Sequence, residues 1–186
     1  MGRVSQAQAE ENRRRVVETA SRLFREQGTH ISVADLMKAA GLTHGGFYKQ
    51  FASKEALVDE ATAHAFDELA RRHRDGVERH AGRRDAAQRA LIDAYLSVEH
   101  RDSAADGCPV AALAGDIARD AGGREARRVY TEGVGDFAAV LATDDEDGLA
   151  RLCTMFGALV LARATKGSPL SEEILTAART ALTESG

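Results

Sequence analysis

Between Thr43 and Lys54 the chain carries a hydroxyl (Thr43), an imidazole (His44), a phenol (Tyr48), an amide (Gln50) and two ammonium groups (Lys49 and Lys54), broken by the pair Gly45-Gly46. Donors and cations packed this closely suit the binding of phosphate oxygens and polar edges. Only four lysines exist, and Lys38, Lys49 and Lys54 fall within seventeen residues. A second chemical group stands apart. Cys108 precedes Pro109 at the expected start of a helix, where the dipole lowers a thiol pKa. Gly107 and the polar stretch Arg101–Gly107 are expected to be mobile and to expose it. Cys108 therefore reads as a possible sensor thiol for oxidants or electrophiles; the alternative is a small buried hydrophobe. Cys153 lies in an apolar run and reads as packing.

Catalytic and metal chemistry are not expected. There is no Gly-rich phosphate loop after a strand, no paired metal ligands and no nucleophile elbow. The histidines, at 30, 44, 64, 73, 80 and 100, are scattered. His73 and His80 share a face and read as decoration of a solvated helix. No cofactor is expected.

Local signals place these groups on helices. Val16, Val17, Ala20, Leu23 and Phe24 mark one face of a first helix, Ala9–Gln27, with Gly28 as its left-handed cap. Ser32 opens a second helix, with Asp35 completing an approximate capping box and Gly41 ending it. Thr43 is expected to cap a third, short helix reaching Phe51, and Ser53 a fourth reaching about Glu78. Two short helices joined at Gly41 by a tight turn form a helix-turn-helix. Phe47, Phe51 and Met37 read as its core. Further on, helical spacing groups Ala87, Leu91, Ala94, Tyr95 and Val98 on a fifth helix and Val110, Leu113, Ala114 and Ile117 on a sixth. A seventh holds Tyr130, Val134, Phe137, Ala138 and Leu141. Asp144–Asp147 starts an eighth, centred on Leu152–Ala162. A ninth, opened by Ser171, holds Ile174, Leu175, Ala178, Ala181 and Leu182.

The chain of 186 residues is 44% hydrophobic and 29% charged, with two prolines and no tryptophan. It is rich in helix formers, which predicts an all-α fold. The first 51 residues carry a net charge of +3 and the remainder −7, a basic end on an acidic body. No apolar stretch follows the basic residues at the N-terminus. The longest uncharged apolar run, Leu152–Ala162, is too short for a span of about 20 residues. A cytoplasmic protein with no membrane partner is expected.

The run Gly41-Leu42-Thr43-His44-Gly45-Gly46-Phe47-Tyr48-Lys49-Gln50-Phe51-Ala52-Ser53-Lys54-Glu55-Ala56-Leu57 resembles the signature of the TetR family of bacterial transcriptional regulators. Phe24, Gly28 and Ser32-Val33-Ala34-Asp35-Leu36 upstream fit the same pattern, and the resemblance covers residues 12–60. It implies a helix-turn-helix DNA-binding domain over residues 1–52 and a ligand-binding and dimerisation domain over residues 53–186, with about nine helices in all. It implies double-stranded operator DNA as partner and Ser32, Thr43, His44, Gly45, Gly46, Tyr48, Lys49 and Lys54 as the DNA-binding residues. Thr43 and the helix N-terminus would meet phosphate. His44 would reach base edges in the major groove, Tyr48 would aim at the backbone, and Lys54 would clamp a phosphate from the side. Two glycines in a helix cost about 1 kcal/mol each against alanine, and a bare backbone there lets the element approach DNA closely. The family has one glycine followed by a small polar residue; the second glycine leaves Thr43, His44 and Lys49 as base readers. Gln50, where the family often has an aromatic or His, reads as exposed or DNA-reaching. Arg13-Arg14-Arg15 reads as a phosphate-touching arm or a solvated face.

The resemblance further implies a small-molecule inducer bound among helices four to seven and a homodimer built from the last two helices. The eighth helix is apolar on more than one face, so an identical helix is expected to cover what its own subunit leaves open. Phe156, Leu159, Leu161, Ala162, Leu175, Ala178 and Leu182 are the expected interface. A two-fold dimer sets two recognition helices about 34–36 Å apart and predicts a palindromic operator. The expected function is a repressor released from its operator by ligand. The rivals are an activator and a helical ligand carrier or small enzyme with a non-functional helix-turn-helix.

Overall fold

The computed structural model describes residues 6–144 and 147–184. Among these residues the chain is all helical, in nine α-helices and one 3-10 helix, with no strand. Helix α1 (Gln6–Gln27) ends at Gly28, whose φ of +84° provides the left-handed cap. Helix α2 (Val33–Ala39) starts at Ser32, whose hydroxyl accepts the Asp35 amide at 3.1 Å. Gly41, at φ +70°, turns the chain out of it.

The next element is the first departure from expectation. His44–Lys49 is a 3-10 helix rather than an α-helix, and the Thr43 side chain makes no capping bond. Two adjacent glycines weaken the α-helical preference, and two tight 3-10 turns are what remain. Ser53 does cap helix α3 (Lys54–Arg79), accepting the Ala56 amide at 3.2 Å.

Helix α4 (Arg84–Tyr95) is shorter than its apolar stripe predicts. Leu96 buries fully, and the Ser97 hydroxyl accepts the His100 amide to start helix α5 (Val98–Asp102). Val98, expected on the buried stripe, is exposed for that reason. The following segment is tethered rather than loose. Arg101 is buried with its guanidinium donating to Ser171 Oγ at 2.8 Å. The Asp106 carbonyl accepts from Arg72, and its carboxylate pairs with Arg22 at 2.7 Å. Arg25 donates to the Gly107 carbonyl at 3.2 Å.

Helices α6 (Pro109–Ala118), α7 (Arg124–Leu141), α8 (Gly148–Ala164) and α9 (Pro169–Glu184) complete the chain. Asp147 caps α8 through the Leu149 amide at 2.9 Å; of the expected acidic start, residues 145–146 lie outside the described residues. Two cores form. One gathers Val16, Phe24, Leu36, Phe47 and Phe51 with Leu57 and Val58 of α3, closed by Leu113 and Ile117 of α6. The other gathers Ile92, Phe137, Leu141, Met155, Leu159 and Leu175 between α4, α7, α8 and α9. Helix α3 runs through both. No helix among the described residues is long and apolar enough to cross a membrane.

Candidate functional site

The helix-turn-helix sits on a firm base. Phe47 and Met37 are fully buried, and Phe51 stacks on Phe47 with ring centroids 5.4 Å apart. Arg13 lies over the Phe51 ring at 4.7 Å and pairs with Glu60. Arg14 pairs with Glu11, and Arg15 donates to Asn12. Arg13 is thus held within the subunit, and Arg14 and Arg15 stay on the solvated face of α1.

With the aromatic pair turned inward, the 3-10 helix turns its polar residues outward. Thr43, His44, Gly45, Tyr48 and Lys49 are all exposed. Tyr48, at 68% exposure, packs edge-on against Phe47 at 5.1 Å and leaves its hydroxyl in solvent. His44 meets the Tyr48 ring edge at 6.5 Å. Gly46 is half-buried, with Met37 and Thr43 nearby, whereas a Cβ on Gly45 would meet nothing within 4 Å. Neither glycine has a positive φ. Lys54, half-buried, opens α3, and Gln50 is half-buried rather than exposed. Ser32 is exposed, but its hydroxyl also donates to Asp35 Oδ2 at 2.6 Å and is committed to the cap.

A second site lies between α3, α4 and α7, where a cavity of about 650 Å³ opens. Leu69, Ala87, Leu91, Phe137 and Val140 form apolar wall, and Arg72, Arg79 and Arg84 stand where it meets solvent. Its buried end holds Tyr95, His100, Cys108 and His73. Gln88 also lines it, with its amide nitrogen donating to the carbonyls of Val140 and Ala142.

Several expectations change here. His73 and His80 line the cavity. His73 packs on Phe137 at 4.6 Å, and burial, aided by Arg72, pulls its pKa down to about 4. His80 bonds to the Gly76 carbonyl at 2.8 Å. The signal for His73 was its place on the face of α3 that continues the apolar residues Phe66 and Leu69. Tyr95, read as one more stripe residue, brings a hydroxyl into the core.

Cys108 is not an exposed thiol. It is 3% exposed, and burial pushes its pKa up despite its place before α6. Its amide donates to His100 Nε2 at 3.2 Å, and its side chain belongs to the larger core with Tyr95 and Val110. The packing alternative describes it better. In a Cys153→Ser variant, iodoacetamide should therefore label the native protein far more slowly than the protein unfolded in guanidinium, followed by mass spectrometry. Equal rates in the two states would contradict this burial. Cys153, expected to pack, is exposed instead.

The expected dimer interface also divides. Leu159, Ala162, Leu175 and Ala178 are buried inside the subunit, because α8 and α9 turn those faces onto α7 and α4. Phe156 and Leu182 are half-buried against the same core. Leu161 is 56% exposed. The open apolar face of α8 is Leu149, Cys153, Val160 and Leu161, continued by Leu170 at the start of α9.

Comparison with known proteins agrees with this geometry. The family described as "Bacterial regulatory proteins, tetR family" matches residues 16–61. The HTH-type transcriptional repressor KstR2 of Mycobacterium tuberculosis is 34% identical over 101 residues, 54% of this chain and 50% of that protein. The HTH-type transcriptional regulator AcrR of Shigella flexneri is 38% identical over 61 residues, 32% of this chain and 28% of that one. The match thus spans about half the length, or less, of these curated relatives. A TetR transcriptional regulator from Chloroflexus aurantiacus superposes with a TM-score of 0.74 at 26% identity, covering 96% of this chain and 98% of the other. Reduced NemR from E. coli superposes with a TM-score of 0.72 at 18% identity over 94% of this chain and 96% of that one, a likeness of fold.

Proposed function

We propose that the chain is a member of the TetR family of bacterial regulatory proteins, which its residues 16–61 match, and that it is a sequence-specific DNA-binding transcriptional repressor, a homodimer released from its operator by a small molecule. In this reading residues 1–52 bind DNA, and residues 53–186 bind ligand and dimerise. The observation that carries it is the 3-10 helix: its Phe47 is locked in the core while Thr43, His44, Tyr48 and Lys49 face out around a bare Gly45. Neither packing nor backbone conformation requires glycine at 45. A close approach by an outside partner does. Thr43 and Tyr48 contact phosphates, His44 and Lys49 read bases, and Lys54 holds a phosphate from the flank.

The cavity is the inducer site. Its wall residue Arg72 holds the Asp106 carbonyl, and Asp106 and Gly107 in turn hold Arg22 and Arg25 of α1. Asp116 of α6 accepts the Thr29 amide at 2.7 Å, just before α2. A ligand that shifts the 100–108 segment acts on α1 and α2 through these bonds, and so on the placement of the 3-10 helix. The test is a gel shift with DNA flanking the protein's own gene. A retarded complex supports the reading; retention of small molecules without any DNA complex would make the chain a helical carrier.

The dimer forms through the open face of α8 and α9. Leu161→Asp should give a monomer by sedimentation at micromolar concentration with helix content unchanged, because Leu161 is outside both cores. Operator binding should be lost with it, since one recognition element alone contacts one half-site. A Leu161→Asp dimer of undiminished affinity would place the interface elsewhere.

A further inference from the structure

At the buried end of the cavity Phe137 touches two polar aromatic residues, His73 at a centroid distance of 4.6 Å and Tyr95 at 5.9 Å. Each brings a buried polar atom that reaches no nitrogen or oxygen partner, the Tyr95 hydroxyl and His73 Nε2. Tyr95 is only 5% exposed. Buried hydroxyls are nearly always partnered, because leaving one unpaired forfeits its bond to water. Tyr130 follows that rule, donating to the Val110 carbonyl at 2.7 Å. The Tyr95 hydroxyl has only the Cys108 thiol to donate to, and sulfur is a weak acceptor that a ligand oxygen can replace.

The surroundings define what would complete the pair. The adjoining wall is Leu69, Leu91 and Val140, which favours an apolar body. His73 is neutral at pH 7, and burial raises the pKa of Tyr95 and of Cys108. The buried end therefore offers a neutral phenol donor and a neutral imidazole nitrogen. The cations of the cavity, Arg72, Arg79 and Arg84, stand where it meets solvent, and Arg163, whose charge reaches Tyr95 and Cys108, is already held by the carbonyls of His100 and Arg101. An anionic group therefore belongs at the mouth, and the group at the buried end is uncharged. An uncharged oxygen gives up far less hydration than an ion and accepts a hydrogen bond from the phenol.

We propose that the cavity takes an apolar molecule bearing one uncharged oxygen, a ketone or a hydroxyl, held at the buried end by the Tyr95 hydroxyl with His73 Nε2 beside it. The assignment rests on the reading of this cavity as the ligand site. The test uses the full chain and a matched pair, 4-phenylcyclohexanone and phenylcyclohexane, each displacing Nile red. The ratio of ketone to hydrocarbon affinity should be about tenfold higher in the wild type than in Tyr95→Phe, the size of one net hydrogen bond. A second measurement does not depend on that variant folding. With tyrosine labelled at Cζ, the chain gives three signals, assigned through Tyr48→Phe and Tyr130→Phe. The Tyr95 signal should move with the ketone and stay nearly still with the hydrocarbon, while Tyr48 is unmoved by either. An equal affinity ratio in wild type and Tyr95→Phe, or a Tyr95 signal indifferent to the ketone, overturns the proposal. If Nile red does not bind, or binds as well when Leu91→Trp fills the cavity, the ligand-site reading fails first and the proposal with it.

Discussion

Gly148→Ala is expected to destabilise the protein by about 3 kcal/mol or more, enough to unfold a domain of ordinary stability in mild denaturant. Gly148 is the first residue of α8 and is buried against α7. A Cβ there would lie 1.8 Å from the Ala138 carbonyl oxygen and 2.7 Å from the Ala142 nitrogen. Those two atoms are bonded to each other at 3.0 Å in closing α7. Backbone atoms cannot rotate aside, so α7 and α8 must separate or the α7 terminus must open. Both helices contribute to the larger core, through Phe137, Leu141, Met155 and Leu159. Gly135 on α7 is the control, because a Cβ there meets nothing within 4 Å. Gly135→Ala should be neutral or stabilising by up to about 1 kcal/mol, through the better helix propensity of alanine. Urea denaturation followed by circular dichroism measures both. A Gly148→Ala midpoint within experimental error of the wild type would contradict this packing of α8.

The second large effect is on DNA. His44→Ala should change which bases are preferred and weaken the best site by about 1–3 kcal/mol. Tyr48→Ala and Lys54→Ala should instead weaken all sequences nearly alike, and Lys54→Ala should lower the salt slope of binding by about one. The substitutions at His44 and Tyr48 should leave stability almost unchanged, since both side chains are exposed on an element held by Phe47 and Phe51. That separation matters: a core variant such as Phe47→Ala would cost about 3–5 kcal/mol and abolish binding for a different reason. Fluorescence anisotropy at several salt concentrations distinguishes the classes. Equal loss on every sequence for His44→Ala would remove it from the base-reading set.

The pattern of what could be read in the residues has a physical basis. Gly28, Ser32, Gly41 and Ser53 act within four residues of themselves, so the ends of α1 and α2 and the start of α3 were legible. The inward set of Phe24, Met37, Phe47 and Phe51 followed from helical period. Ser97 was an equally local signal, but the stripe continuing to Val98 masked it. Thr43 shows the converse, a capping residue whose side chain makes no cap bond, the Gly46 amide going to its carbonyl instead. For Cys108 both an exposed thiol and a buried hydrophobe stood open, because what decides between them is distant in sequence: it packs in the core with Phe66 and Leu69 of α3 and Phe137 of α7. His73 was misread because its cover, Phe137, comes from α7. The apolar excess of α8 was legible, yet periodicity could not say which face its own subunit would take. Leu159 and Ala162 turned inward, and Leu161 and Val160 remained outside.

The claim on which the rest depends is sequence-specific recognition of DNA by a two-fold dimer. Selection of bound sequences from random double-stranded DNA, run in parallel with the wild type and His44→Ala, tests it most directly. The wild type should enrich an inverted repeat whose half-sites are centred about one helical turn apart, and His44→Ala should shift the preferred base at one symmetric pair of positions. Recovery of unenriched DNA by the wild type, or of a single asymmetric half-site bound by a monomer, would contradict it.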